Sequence, residues 1–221
     1  MRKAADRVES TPRRVGVFGG TFDPPHLGHA SVARDVADAL SLDTVLWIPA
    51  RIPPHKSRRG ISPPEVRLEM VQAASQSDAR FAVSEIELER PGPSYTVDTL
   101  RALAGPDLYL IIGYDQYLEL DTWHEPAEIL SHAHLAVMDR RGAGVPEDLS
   151  DDPSAPRAVR ALAARHTEPR AAMAERVIRV PVGRVDVSST LVRERVRRGR
   201  DVSNLVSPSV LDIIRREGLY R

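Results

Sequence analysis

Residues 16–30 read "GVFGGTFDPPHLGHA", and they join a short apolar run to a helix-like segment through a turn rich in glycine and proline. Glycines let the backbone approach an anion closely, and the first turn of a helix offers unpaired N–H groups and the positive end of its dipole. A strand, a glycine turn and a helix in this order predict a phosphate-binding site. The Gly-x-x-Gly-Gly spacing differs from that of a P-loop and from the fingerprint of redox dinucleotide-binding proteins.

Two histidines stand where the helix is predicted to begin. His26 and His29 are three residues apart, so they share one helix face. An imidazole there can donate a hydrogen bond to phosphate oxygens and stabilise charge that develops on them. A helix cap, a surface position or half of a metal site are the alternatives. No third or fourth ligand stands at a plausible spacing, so we expect no protein-held metal. The glycine turn before the histidines favours phosphate chemistry.

The rest of the chain alternates between strand-like and helix-like segments. This alternation predicts an α/β fold, a Rossmann-like doubly wound parallel sheet with helices on both faces and a small C-terminal helical part. The glycine turn, residues 53–56 and residues 113–115 follow the first, second and fourth strands, at the sheet edge where such folds bind ligands. The predicted strands are 13–18, 44–49, 80–88, 108–112, 134–139 and 177–181. The predicted helices are 27–41, 63–76, 94–105, 125–133, 157–177, 188–199 and 207–220.

Length and composition narrow the class of protein. Of the 221 residues, we expect 1–13 to form a disordered tail and 14–221 to form a single domain. Basic and acidic residues both number 31, so net charge indicates neither nucleic acid nor a membrane as a partner. The absence of cysteine excludes disulfides, zinc thiolates and a cysteine nucleophile. No apolar run is long enough to span a bilayer and no signal peptide is evident, so we expect a cytoplasmic protein.

Two motifs at opposite ends of the chain carry a resemblance to a known superfamily. "GGTFDPPHLGHA" (19–30) resembles the G-T-F-D-x-x-H-x-G-H signature of the nucleotidyltransferases, and "VSSTLVRERV" (187–196) resembles their I-S-S-T-x-I-R motif. Further stretches resemble the bacterial nicotinate-nucleotide adenylyltransferases, and the similarity covers nearly all of 14–221. These stretches are "IPPHK" (52–56), "SYTVDTL" (94–100), "IIGYDQYLELDTWHE" (111–125) and "SPSVLDIIRREGLY" (207–220).

The resemblance implies a reaction and a set of site residues. The reaction is adenylyl transfer from ATP, accompanied by Mg²⁺, to nicotinate mononucleotide, which gives deamido-NAD and pyrophosphate in NAD biosynthesis. The residues with implied catalytic roles are His26, His29, Lys56 and Arg193. The implied ATP-binding residues are Gly19, Gly20, Thr21, Phe22, His26, His29, Gly113, Asp115, Ser188, Ser189, Thr190 and Arg193. The implied mononucleotide-binding residues are Thr21, His55, Lys56, Thr96, Trp123 and His124.

Simpler interpretations exist for several of these residues. Ser188 and its neighbours could cap a helix, Lys56 could be an exposed loop lysine, and Trp123 could belong to the core. The acceptor could be nicotinamide mononucleotide or another phosphate. A nucleotide sensor without catalysis is a further alternative, although we would expect such a protein to lack one of the motif histidines or the motif arginine. We expect ATP and nicotinate mononucleotide as partners, without nucleic acid or membrane, and the sequence leaves a homodimer open.

Overall fold

The computed structural model describes residues 13–53, 60–140, 145, 146, 149, 152–165, 175–183 and 186–221. Its strands are β1 (Arg14–Gly20), β2 (Thr44–Pro49), β3 (Phe81–Val83), β4 (Asp107–Gly113), β5 (His134–Arg140) and β6 (Val177–Val182). All pairings are parallel, in the order β3-β2-β1-β4-β5-β6. The chain reverses its direction of winding between β1 and β4, which is the switch point where open α/β sheets bind ligands.

Helices follow most of the strands. Those before β4 are α1 (Leu27–Ala39), α2 (Pro64–Ser75), α3 (Ile86–Glu89) and α4 (Thr96–Ala102). Those between β4 and β6 are α5 (Tyr114–Leu118), α6 (Pro126–His132) and α7 (Arg157–Ala163), with a 3-10 turn at Leu120–Thr122. The C-terminal helices are α8 (Ser189–Arg197) and α9 (Pro208–Arg216). No helix in the described ranges combines the length and apolarity needed to cross a membrane.

The sheet is covered on both faces. Alternate residues of a strand point to opposite faces, so Val17 and Phe18 of β1 enter different cores. Val17 packs in a core that includes buried residues of α4, α6 and α7. Phe18 packs in the other, with buried residues of α1, α2, α8 and α9. The doubly wound sheet that the sequence predicts is therefore confirmed. α9 also packs on α2, where Arg216 pairs with Glu69.

The strand predicted over residues 80–88 is wrong in its second half. β3 ends at Val83, and the N–H groups of Leu88 and Glu89 donate to the carbonyl of Glu85, which closes a helical turn. The alternating pattern of "SEIELE" also fits one turn of helix. In that turn Glu87 faces inward, where its carboxylate accepts a hydrogen bond of 2.8 Å from the Thr99 hydroxyl. Alternation over so few residues does not separate the two structures.

Two other segments differ from the sequence prediction. The short helical segments Tyr114–Leu118 and Leu120–Thr122 were not predicted, because each is shorter than two helical turns and shows no periodicity.

The helix predicted over 157–177 is described as far as Ala163, and residues 166–174 lie outside the described part of the chain. Of the expected tail 1–13, only Arg13 is described. Its guanidinium donates to the Thr44 hydroxyl at 2.5 Å, and the boundary between tail and domain stays a prediction.

Candidate active site

Two cavities open at the carboxyl edge of β1, β2 and β4. We call the first, of about 400 Å³, the phosphate cavity, and the second, of about 470 Å³, the aromatic cavity. They share a floor that consists of Gly19, Gly20, Thr21 and Gln116. This shared floor lies where β1 ends, beside the β1–β4 switch point. Two ligands bound in the two cavities would therefore meet over the glycine turn.

The glycine turn is shaped by an aromatic side chain. Phe22 has a left-handed backbone with φ of 48°, and its ring lies against the Cα of Gly20. A Cβ at Gly20 would come within 3.0 Å of this ring, so a larger residue there would have to displace it. The ring stacks on Trp47 at 5.3 Å and meets Phe18 edge-on at 5.6 Å. This packing fixes the backbone of the turn from the core side.

The two histidines lie at the start of α1, next to this turn. His26 is the N-cap residue, and its backbone N–H donates to Nδ1 of His29 at 3.1 Å. This bond assigns the proton of the neutral His29 ring to Nε2, which makes Nε2 a hydrogen-bond donor. The two rings stack with centroids 3.7 Å apart, and both line the phosphate cavity. The pair thus presents imidazole groups to the space above the glycine turn.

The second motif reaches the same cavity from the C-terminal part of the chain. The Ser189 hydroxyl donates to the carbonyl of Pro24 at 2.9 Å. The Arg193 guanidinium donates to the carbonyl of Asp23 at 2.7 Å and to the Thr190 hydroxyl at 3.2 Å. Ser189, Thr190 and Arg193 all line the phosphate cavity. Hydrogen bonds therefore join residues that are 165 and 170 positions apart in the chain. They hold the start of α8 against the first motif.

Ser188 has a structural role. It is the N-cap of α8, and its hydroxyl accepts the N–H of Leu191 at 3.1 Å. It does not line either cavity. The capping interpretation from the sequence accounts for its position, whereas the next residue, Ser189, faces the cavity.

The aromatic cavity is lined by three more of the residues that the resemblance assigns to binding of the mononucleotide. Thr96, Trp123 and His124 all line it. The rings of His124 and Tyr95 stack at 4.4 Å and 30°, which adds a further aromatic surface. Trp123 is half-buried and packs against the core while it lines the cavity. Its ring therefore combines a core contact with a surface that a planar ligand could use.

A buried carboxyl group also lines the aromatic cavity. Glu87 is only 7% exposed, and it accepts the hydroxyl hydrogen bond from Thr99. Burial raises the pKa of Glu87, while its hydrogen bonds and the nearby Arg90 act in the opposite direction. Arg90 donates to the same Thr99 hydroxyl at 2.9 Å. Sequence reasoning missed Glu87, because it lies in the segment that was predicted as a strand.

The structure places Gly113 and Asp115 near the cavities without exposing them there. Neither residue lines either cavity. The N–H of Gly113 donates to Oε1 of Gln116 at 3.1 Å, and the Asp115 carboxylate lies over the Gly113 Cα. Gln116, which sequence reasoning missed, lines both cavities. The signal in the sequence was its position directly after Asp115, shortly after the end of a buried strand.

His55 and Lys56 lie outside the described residues, so their roles stay predictions. Among the described residues, no group of three or more histidine, aspartate or glutamate side chains could hold a metal ion.

Comparison with known proteins places this geometry in a family. A family model described as cytidylyltransferase-like matches residues 17–195, which include the glycine turn, both histidines and Arg193. The chain belongs to the cytidylyltransferase-like family. A protein of Trichlorobacter lovleyi named "Probable nicotinate-nucleotide adenylyltransferase" is 40% identical over 217 residues, covering 94% of this chain and 99% of the relative. A protein of the same name from Roseiflexus sp. is 41% identical over 210 residues, covering 94% and 98%. The resemblance predicted from the motifs is confirmed.

Solved structures show the same fold. The nicotinic acid mononucleotide adenylyltransferase of Plasmodium falciparum has been solved in complexes with APC and with NaAD. The two structures superpose on this chain with TM-scores of 0.69 and 0.68, each covering 94% of this chain and 97% of theirs. Their sequence identities are 13% and 15%, so this likeness shows the fold alone. It confirms the predicted Rossmann-like arrangement of a cytidylyltransferase-like family member.

Proposed function

We propose that the chain transfers the adenylyl group of ATP to nicotinate mononucleotide, forming deamido-NAD and pyrophosphate. The observation that carries this proposal is the pair of cavities on one floor of Gly19, Gly20, Thr21 and Gln116. The phosphate cavity holds imidazole, hydroxyl and guanidinium groups, which suit a triphosphate. The aromatic cavity holds Trp123 and stacked rings, which suit a pyridine. The names of the bacterial relatives support the same reaction.

The chemistry needs little from the protein beyond placement and charge. A 5′-phosphate oxygen of the mononucleotide attacks the α-phosphorus of ATP in line. The bond between the α-phosphorus and the oxygen that joins it to the β-phosphorus breaks, and pyrophosphate leaves with the electron pair. Because a phosphate monoester is already a nucleophile, no protein nucleophile is required. His26, His29 and Arg193 would hold the phosphates and stabilise the negative charge of the transition state.

The acceptor would bind in the aromatic cavity. The face of Trp123 would stack on the pyridine ring, and backbone N–H groups near Thr96 and His124 would take its carboxylate. The shared floor would bring the acceptor phosphate to the ATP α-phosphate. His55 and Lys56 are proposed to approach the phosphate groups, as the resemblance implies.

We propose that Mg²⁺ enters as part of the MgATP substrate, because Mg²⁺ is commonly bound through substrate phosphates and water. The described groups around the phosphate cavity do not form a carboxylate cage. Among the described residues that line this cavity, only Asp23 carries a carboxylate, which accepts the Tyr220 hydroxyl at 2.6 Å and the Ser62 N–H at 3.3 Å. A cytoplasmic location stays a prediction, and the oligomeric state stays open.

Pyrophosphate release with MgATP tests the function. Nicotinate mononucleotide and nicotinamide mononucleotide are compared side by side, with a reaction lacking any acceptor as the control. We expect rapid release with the acid and much slower release with the amide. Equal rates would retain adenylyl transfer and contradict the carboxylate pocket. If folded protein that binds ATP releases no pyrophosphate with either acceptor, another phosphate acceptor or a sensor role replaces the proposal.

A further inference from the structure

A buried arginine lies behind the glycine turn. Arg67, on α2, is only 1% exposed, and its guanidinium donates to three backbone carbonyls. Nη1 reaches the carbonyl of Thr21 at 2.8 Å, Nε that of Ser62 at 3.0 Å, and Nη2 that of Arg51 at 3.5 Å. One side chain thereby joins the turn after β1 to the segment after β2 and to the residues that precede α2.

A tyrosine holds the same turn from the C-terminus. Tyr220, which has a left-handed backbone with φ of 62°, donates its hydroxyl to Oδ1 of Asp23 at 2.6 Å. Asp23 is itself only 4% exposed. Burial raises the pKa of Tyr220, and the neighbouring Asp23 raises it further, so the side chain stays a phenol and a donor. Arg67 and Tyr220 thus hold residues 21 and 23 of one turn.

Both side chains act from outside the cavities. Thr21 belongs to the floor that the two cavities share, and Asp23 lines the phosphate cavity. Neither Arg67 nor Tyr220 lines either cavity. Arg193, which lines the phosphate cavity, also holds this turn through its hydrogen bond to the Asp23 carbonyl. The turn is therefore fixed between a residue of the site and two residues behind it.

We propose that Arg67 and Tyr220 are positioning residues for adenylyl transfer, which hold the turn at residues 21–23 so that both phosphates meet in line above it. This inference rests on the proposed function.

We expect the contacts that fix the turn to affect the reaction rate more than they affect the stability of the fold. Burying a guanidinium is costly, and replacement of buried charged groups by apolar ones is often neutral or stabilising. The planar fork of arginine nevertheless reaches three carbonyls in one fixed geometry, which the single ammonium of a lysine does not reproduce. Because the proposed catalysis depends on placement, a displacement of the turn by about 1 Å could lower the rate about 10²-fold.

The test compares Arg67→Lys and Tyr220→Phe with two matched controls. Val71→Ala removes two buried methyl groups from the same helix, and it controls for loss of α2 stability. Tyr109→Phe removes another tyrosine–aspartate hydrogen bond, that of the Tyr109 hydroxyl with Asp107 at 2.8 Å, and neither of these residues lines a cavity. For each variant, kcat and both KM values are measured by pyrophosphate release and normalised to the folded fraction from thermal unfolding.

We expect Arg67→Lys to lower kcat at least about tenfold, and Tyr220→Phe to lower it severalfold, with both KM values within about threefold of the wild-type values. The two controls should keep kcat per folded molecule, even where they unfold at a lower temperature. Unchanged kcat in both folded variants, or an equal loss in the controls, would overturn the inference.

Interpretation of the test requires that the variants fold and that the wild-type protein is active. If Arg67→Lys does not fold, Tyr220→Phe decides, because it removes a single hydroxyl group. An inactive wild-type protein would contradict the proposed function and this inference together. An active wild-type protein with unaffected variants would overturn this inference alone.

Discussion

Replacement of His29 by asparagine separates two roles of one side chain. Nδ1 of His29 accepts the N–H of His26 at 3.1 Å, and Nε2 is the donor that we assign to the triphosphate. The asparagine Oδ1 can take the place of Nδ1, but asparagine has no atom at the place of Nε2. Glutamine is longer, and its amide nitrogen can reach the Nε2 position. His29→Asn should therefore retain the helix start and lose the catalytic donor.

The two roles of His29 should differ in the size of their effects. Removal of one preorganised donor to the transition state typically lowers kcat by about 10²–10³, or roughly 2.7–4 kcal/mol. We expect that loss in His29→Asn and in His29→Ala. Both variants lose the contacts of the imidazole ring, whereas only the alanine variant also loses the bond to His26, so its free energy of unfolding should be lower than that of the asparagine variant by about 0.5–1.5 kcal/mol. His29→Gln should recover part of kcat.

Pyrophosphate release at saturating substrates gives kcat, and urea unfolding gives the free energy of unfolding of each variant. The matched control is His132→Asn on α6, whose side chain faces Glu128 and lines neither cavity. Its kcat should equal that of the wild type. If folded His29→Asn keeps kcat within about threefold of the wild-type value, His29 does not stabilise the transition state.

Three further substitutions test other parts of the site. Arg193→Lys breaks the paired contact with Asp23 and Thr190, so initial-rate kinetics should show a rise in the KM for ATP and a fall in kcat. Trp123→Ala should raise the KM for the mononucleotide roughly tenfold or more without changing that for ATP, because ring stacking contributes about 1–3 kcal/mol. Glu87→Gln removes a carboxyl group whose pKa is raised above its ordinary value of 4.5. Such a group binds protons more tightly in the folded state, so wild-type stability should rise relative to the variant as pH falls through the raised pKa. Chemical unfolding at several pH values measures this difference, and a constant difference would contradict the assignment.

The local sequence was sufficient to predict those parts of the fold that neighbouring residues determine. The apolar run, the glycines and the first histidine lie within fifteen residues, and β1, the turn and α1 follow in the predicted order. The parallel sheet followed from regular alternation of long elements. The contact between α8 and the turn joins residues 165 or more positions apart. We expected this contact because of the family resemblance, since the spacing of residues in the sequence does not show which distant residues meet.

The unpredicted residues share a physical reason. Arg67 looks in the sequence like any surface arginine of a chain rich in arginine, and only tertiary packing buries it against three carbonyls. Glu87 looks like a solvated strand residue until its helical turn brings it to Thr99. Gln116 is one of several polar residues after β4. In each case, burial or exposure is set by elements distant in the chain, which local patterns do not encode.

The glycines of β1 show how packing distinguishes structural from functional positions. A Cβ at Gly16 would lie 2.8 Å from Cδ1 of Leu42, so a larger residue there would have to displace this buried side chain. A Cβ at Gly19 would meet no atom within 4 Å, and Gly19 lines both cavities. The protein's own packing therefore does not require glycine at position 19, whereas close approach of two phosphates would.

Alanine substitutions at these two glycines should have opposite effects. Gly19→Ala should keep or raise stability, by up to about 1 kcal/mol, since it restricts the unfolded chain without a clash. Its methyl group would occupy the shared floor and lower kcat/KM roughly tenfold or more. Gly16→Ala should cost about 1–3 kcal/mol of stability through overpacking, with kcat per folded molecule unchanged. Full activity in Gly19→Ala would mean that the reacting phosphates do not meet over this floor, and the two-cavity mechanism would then be wrong.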